Sequence, residues 1–122
     1  MFKIDENRNI HLNRGDQMII KLRNSSSNFT PTDRFKFSVM KKGNAGMVLF
    51  QKEFVVEEES NEFTMVFTPE ETRLGDVIRT GTVVYWYEIE YNGMNTVLGY
   101  DTEGPKELIL YPEAVRKDER GD

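Results

Sequence analysis

The stretch Thr82-Val83-Val84-Tyr85-Trp86-Tyr87-Glu88-Ile89-Glu90-Tyr91 decides the fold. Its period is two. Val83, Tyr85, Tyr87, Ile89 and Tyr91 fall on one face, and Val84, Trp86, Glu88 and Glu90 on the other. Side chains alternate across a strand in this way, and β-branched and aromatic residues suit a pleated surface. Asn92-Gly93 follows directly, the strongest short hairpin signal. It predicts a return strand over Asn95 to Tyr100, a polar turn at Asp101 to Pro105, and a last strand over Glu107 to Tyr111 that Pro112 ends.

The same period recurs upstream. Met18, Ile20 and Leu22 alternate with Gln17, Lys21 and Arg23, with Ile19 the one apolar residue on the polar side. Phe35, Phe37 and Val39 alternate with Lys36 and Ser38. Phe63, Met65 and Phe67 alternate with Thr64, Val66 and Thr68. Asn24 to Asp33 is rich in Ser, Asn, Thr and Pro and reads as a loop, and Lys41 to Gly46 suits a hairpin turn. Met47 to Val56 is a β-rich run with mixed faces, closed by the charges of Glu57 to Glu62. Thr68-Pro69-Glu70-Glu71 reads as a cap before a single helical turn ending near Leu74. With the weaker Phe2 to Ile4 and Asn9 to Leu12, about eight strands result. The expected fold is all-β, an antiparallel sandwich with at most one short helical turn. It occupies residues 1–115 as one domain, with residues 116–122 a charged, disordered tail. Val83, Tyr85, Tyr87, Ile89, Phe35, Phe37, Phe63, Phe67, Met18, Ile20 and Leu22 are expected to point inward.

Composition bounds the chemistry. The chain has 122 residues, 16 Lys plus Arg against 21 Asp plus Glu, and a formal charge of −5. A chain of this size buries about two-thirds of its unfolded surface, enough for a core without staples. The absence of Cys excludes a disulfide scaffold, a thiolate zinc site and a cysteine nucleophile. One His, His11, excludes a multi-His metal site, and it has no serine or acid partner in a recognisable motif. The acidic balance argues against nucleic acid as the main partner. No run approaches the roughly 18 apolar residues of a membrane helix. Met1 to Ile10 lacks the apolar core of a signal peptide, so synthesis in a cytoplasm is expected.

Weak motifs have plain structural readings. Arg14-Gly15-Asp16 is an integrin-type tripeptide, repeated at Arg120-Gly121-Asp122, but the first copy lies between strands, where Gly-Asp serves a turn. Asn24-Ser25-Ser26 and Asn28-Phe29-Thr30 are sequons in a polar loop. Asp101, Glu103 and Glu107 do not have the spacing of a calcium loop. Glu88 and Glu90 share one face of one strand, whereas a glycosidase sets two carboxylates across a cleft. No catalytic residue, metal ligand or cofactor site is expected. The aromatics Tyr85, Trp86, Tyr87, Tyr91 and Tyr100 are the strongest local feature, and most belong to the core. Trp86 is out of phase with the apolar stripe and shares its face with Glu88 and Glu90. Two charges on that face are costly to bury unpaired, so the face is expected to be wet and Trp86 partly exposed. Trp86, Glu88 and Glu90 are the candidate interface.

The order of these pieces resembles a known family. Asn9-Ile10-His11-Leu12, Arg14-Gly15-Asp16 and Met18-Ile19-Ile20-Lys21-Leu22 resemble the opening of small tail and baseplate proteins of phages of Gram-positive bacteria. Phe35-Lys36-Phe37-Ser38-Val39-Met40-Lys41-Lys42, Phe67-Thr68-Pro69-Glu70-Glu71-Thr72 before Gly81, and Tyr85-Trp86-Tyr87-Glu88-Ile89 resemble their later strands. The similarity is closest to the N-terminal domain of baseplate upper proteins and covers roughly Asn9 to Tyr111. It implies an immunoglobulin-like sandwich without catalytic residues, docked on other phage tail or baseplate proteins, in a phage or prophage virion. In that family a stalk or receptor-binding region follows; here the chain ends soon after Tyr111, so a stand-alone structural or adaptor subunit is expected, compatible with a homo-oligomer. A carbohydrate-binding module using surface aromatics is the alternative, and it needs two or more exposed rings in one plane. A small hydrolase is a third, disfavoured for want of a nucleophile constellation.

Overall fold

A computed structural model describes residues 1–75, 81–99 and 104–113. They form nine strands: β1 (Phe2–Ile4), β2 (Ile10–Asn13), β3 (Met18–Arg23), β4 (Arg34–Lys41), β5 (Asn44–Val55), β6 (Glu62–Phe67), β7 (Val83–Tyr91), β8 (Asn95–Leu98) and β9 (Lys106–Tyr111). No helix occurs among the described residues. The all-β sandwich expected from the alternation is the observed class. Tyr100, Asp101, Glu103 and residues 116–122 lie outside the described residues.

The strands make two sheets. The larger runs β1-β2-β9-β7-β4-β5, with β8 beside the end of β7; the smaller is the antiparallel pair β3-β6. One pairing departs from the antiparallel expectation. β2 runs parallel to β9, Ile10 opposite Leu108 and Leu12 opposite Leu110. The reason is connectivity: these strands are separated by most of the chain, so no hairpin constrains their direction.

The core lies between the sheets. Ile10, Leu12, Met18, Ile20, Phe35, Phe37, Val39, Met65, Phe67, Tyr87, Ile89, Leu108 and Leu110 are buried there, and Phe63 and Val83 pack against them partly buried. The expected inward set therefore points inward. Phe37 of β4 touches Phe67 of β6 at 4.7 Å between ring centroids and Tyr87 of β7 at 5.6 Å. Phe35 stacks on Phe63 at 5.1 Å. Phe29 is a further core ring that a polar-loop reading of 24–33 overlooks; it packs edge-on against Phe35 at 5.1 Å.

The turn after β6 takes the form its residues dictate. Thr68 Oγ1 accepts the Glu71 amide at 3.3 Å while Glu71 Oε1 accepts the Thr68 amide at 2.9 Å, a reciprocal capping box. The Thr72 amide reaches the Thr68 carbonyl at 3.2 Å, which makes one turn and no more.

Candidate functional site

The outer face of the larger sheet is built in rows across the strands. One row reads Glu107 (β9), Trp86 (β7), Met40 (β4) and Val48 (β5), each opposite the next. A second, on one side, reads His11, Ile109 and Val84. On the other side Glu88 faces Ser38 and Gln51, and Glu90 faces Lys36 and then Glu53. Trp86 thus stands in an apolar strip, with Ile109 and Val84 beside it, and the strip runs through Met40 to exposed Val48 at the sheet edge. Acidic Glu88, Glu90 and Glu107 border it. Lys36 lies 3.6 Å from Glu90 and Lys42 3.3 Å from Glu107.

Trp86, Glu88 and Glu90 all fall in the intermediate range of exposure. The face is less wet than expected, because Ser38 and Met40 on it are buried. Longer neighbours account for this: Gln51 Nε2 donates to Ser38 Oγ at 3.2 Å, and Trp86 stands opposite Met40. The sequence signal for Trp86 was its phase. Val48 gave none, since the register shift opposite Val39 and Met40 places an extra residue, Leu49, in β5 and breaks the alternation of that strand there.

Burial raises the Glu88 carboxyl above its ordinary value, and the Glu90 carboxyl that shares a hydrogen bond with it adds to the rise; Lys36 opposes. The protonated form therefore suits the fold. Its stabilising contribution is full below the unfolded pKa and is lost as pH rises through the higher folded value. Glu88→Gln imitates the protonated form. It is expected to raise the thermal midpoint at pH 7 by a few degrees and to match wild type near pH 3. A lower midpoint at pH 7 would show that a cation holds the ionised carboxylate instead.

His11 has the acid partner that its sequence neighbourhood does not reveal. Its Nε2 lies 2.9 Å from Asp5 Oδ2 and its Nδ1 2.9 Å from the Tyr111 hydroxyl. The β1–β2 turn brings Asp5 there, and the parallel β2–β9 pairing brings Tyr111. Asp5 also accepts the Asn7 and Asn9 amides at 2.9 and 3.0 Å. Its carboxyl sits below its ordinary value, held there first by His11 and then by the Asn9 amide. The trio fastens β1 and its turn to the sheet.

Arg14-Gly15-Asp16 is no ligand loop. The Arg14 side chain is turned inward and bonded to Glu113. A cleft of about 320 Å³ lies between Leu22, Phe29, Phe35, Tyr91 and Val97. Two of its polar side chains are engaged: the Tyr91 hydroxyl donates to Asp33 Oδ2 at 2.8 Å, and Asn24 Oδ1 accepts the Ser26 and Ser27 amides. Compared with known proteins, the chain matches no family model, no curated protein and no solved structure.

Proposed function

We propose that this protein is a non-enzymatic structural or adaptor subunit of a phage or prophage tail or baseplate, acting by protein–protein assembly. The observation that carries the assembly reading is the strip from Trp86 through Met40 to Val48, bordered by Glu88, Glu90 and Glu107. An aromatic anchor inside a charged border is the anatomy of a protein contact. The strand order supports the finer reading. A sheet of β2-β9-β7-β4-β5 over the pair β3-β6 is compatible with an immunoglobulin-like sandwich with an extended front sheet. With the motif order quoted above, that arrangement points toward the baseplate proteins of phages of Gram-positive bacteria.

A sugar platform is the less favoured reading. Trp86 is the one ring in its row, and among the described residues the large apolar side chains that are freely exposed are all aliphatic or Met.

The test is Trp86→Ala. Its expected effect is to raise the Kd for a neighbouring tail protein about thirtyfold, equivalent to about 2 kcal/mol. Light scattering and co-purification with the products of the flanking genes read this directly. Trp86 stands at the surface of the sheet, so the circular dichroism of the variant is expected to stay native. A variant that assembles like wild type removes Trp86 as an anchor, and so does one that fails to fold.

A further inference from the structure

We infer that β5 is a self-association edge, on which a second copy of this chain lays its own β5 antiparallel. The inference rests on the assembly reading and names one partner for it. β5 is the last strand of the larger sheet. The Val56 amide donates to the Asp33 carbonyl at 2.8 Å, toward β4. On the far side of β4, the Asn92 amide donates to the Arg34 carbonyl at 2.8 Å, toward β7. Arg34 faces Val55 in the β4–β5 register, so Val55 turns its N–H and C=O outward, and by alternation so do Glu53 and Gln51. Phe50–Val55 pairs with β4 without a break, and among the described residues no strand pairs with its other side, which leaves a regular open edge. Such an edge is a template for another strand.

Of the two features that ordinarily blunt an edge, an inward charge does not do so here and bulges touch only the start of the strand. Lys52 points inward, but its Nζ already meets Glu71 Oε1 at 2.9 Å and the Val66 carbonyl at 3.0 Å. Burial alone would push the Glu71 carboxyl up, yet the Lys52 ammonium and the Thr68 amide outweigh it and hold it below its ordinary value. An added strand would not strand that charge. The bulges toward the start of β5 interrupt its pairing with β4, and in that stretch Met47, Val48 and Leu49 are 45%, 46% and 49% exposed. They stand ready to cover a neighbour.

The pattern of charge selects a second copy. Lys41 and Lys42 precede the strand, Asn44 to Gln51 carries no charge, and exposed Glu57, Glu58 and Glu59 follow it. An antiparallel pair about a two-fold axis near Gln51 lays the regular half of each β5 beside the bulged half of the other and sets the basic end of each copy beside the acidic end of the other. It also brings Val55, 48% exposed, to Met47 and Val48 of the other copy. Parallel pairing would oppose like charges. Lys42 already has Glu107 at 3.3 Å, an exposed pair that competes weakly. A two-fold contact requires a self-complementary surface, and β5 has one.

Sedimentation velocity on the full chain, up to about 1 mM protein, tests this. Wild type is expected to show a monomer–dimer equilibrium that weakens as salt rises. Lys41→Glu and Glu57→Lys, both at exposed positions, are each expected to raise the dimer Kd about tenfold, and the double reversal to restore it to within about threefold of wild type. A monomer at every concentration overturns the inference. So does a dimer indifferent to both single reversals, or a double variant no better than its parents. A monomer that still docks tail proteins through Trp86 leaves the assembly reading standing and removes only self-association.

Discussion

Phe37→Ala is expected to lower the stability of the domain by about 3–5 kcal/mol, the range for deleting a fully buried aromatic ring. Phe37 is 1% exposed, and the two rings it packs against come from both sheets, Phe67 from β6 and Tyr87 from β7. Its centroid lies 4.7 Å from that of Phe67 on the small sheet. The truncation therefore removes a contact between layers as well as apolar area, and the β4 backbone, paired on both sides, cannot collapse to fill the gap. At a urea slope of about 2 kcal/mol/M the midpoint should fall by about 2 M, with the slope unchanged. Against a total of roughly 5–15 kcal/mol, that loss is a large share of the stability. Phe67→Ala should behave alike, since it loses the same contact from the other side. A midpoint shift near zero in both would place the core on the wrong face.

That core was legible because a strand reports its faces at every second residue. Met18, Ile20 and Leu22, or Tyr85, Tyr87 and Ile89, need no knowledge of their neighbours to be sorted. Phe29 and Val56 were not sortable, because they enter the core from irregular segments with no period to read. The parallel β2–β9 pair was equally hidden: strand direction is set by packing when no hairpin joins the partners. For the candidate surface, the phase of Trp86 exposed one residue of a row. The rest of the row depends on register between strands far apart in the chain, and on a bulge that the residues of β5 do not announce. Arg14-Gly15-Asp16 shows the converse. Its turn was readable from Gly-Asp, but the burial of Arg14 depends on Glu113, which the sequence places at the opposite end of the chain.

Arg14→Met is expected to cost about 3–5 kcal/mol, because it leaves charge and carbonyls buried without their partner. Arg14 and Glu113 are 6% and 5% exposed, and Arg14 Nη1 lies 2.9 Å from Glu113 Oε2. The rest of the guanidinium closes the loop after the capping-box turn. Nε donates to the Leu74 carbonyl at 3.1 Å and Nη2 to the Gly75 carbonyl at 3.0 Å. Beside it the Gly15 amide donates to Thr72 Oγ1 at 3.1 Å, and Thr72 Oγ1 donates to the Asp16 carbonyl at 2.7 Å. This node joins the β2–β3 turn, the 68–75 turn and the segment after β9. Gly15 belongs to it by necessity: its φ is +88°, and an added Cβ would stand 2.7 Å from Glu113 Oε1. Removing the cation leaves Glu113 with Arg73 at 3.4 Å as a weaker, more distant compensation. Replacing both charges, Arg14→Met with Glu113→Leu, should recover part of the loss, since an apolar pair has no desolvation cost. The loss should also persist at 1 M salt, where the surface pairs are screened and this one is not. Urea unfolding of the two single variants and the double variant, at low and high salt, measures the coupling. If Arg14→Met costs less than about 1 kcal/mol, the guanidinium is solvated in solution, and Arg14-Gly15-Asp16 returns to being an open loop.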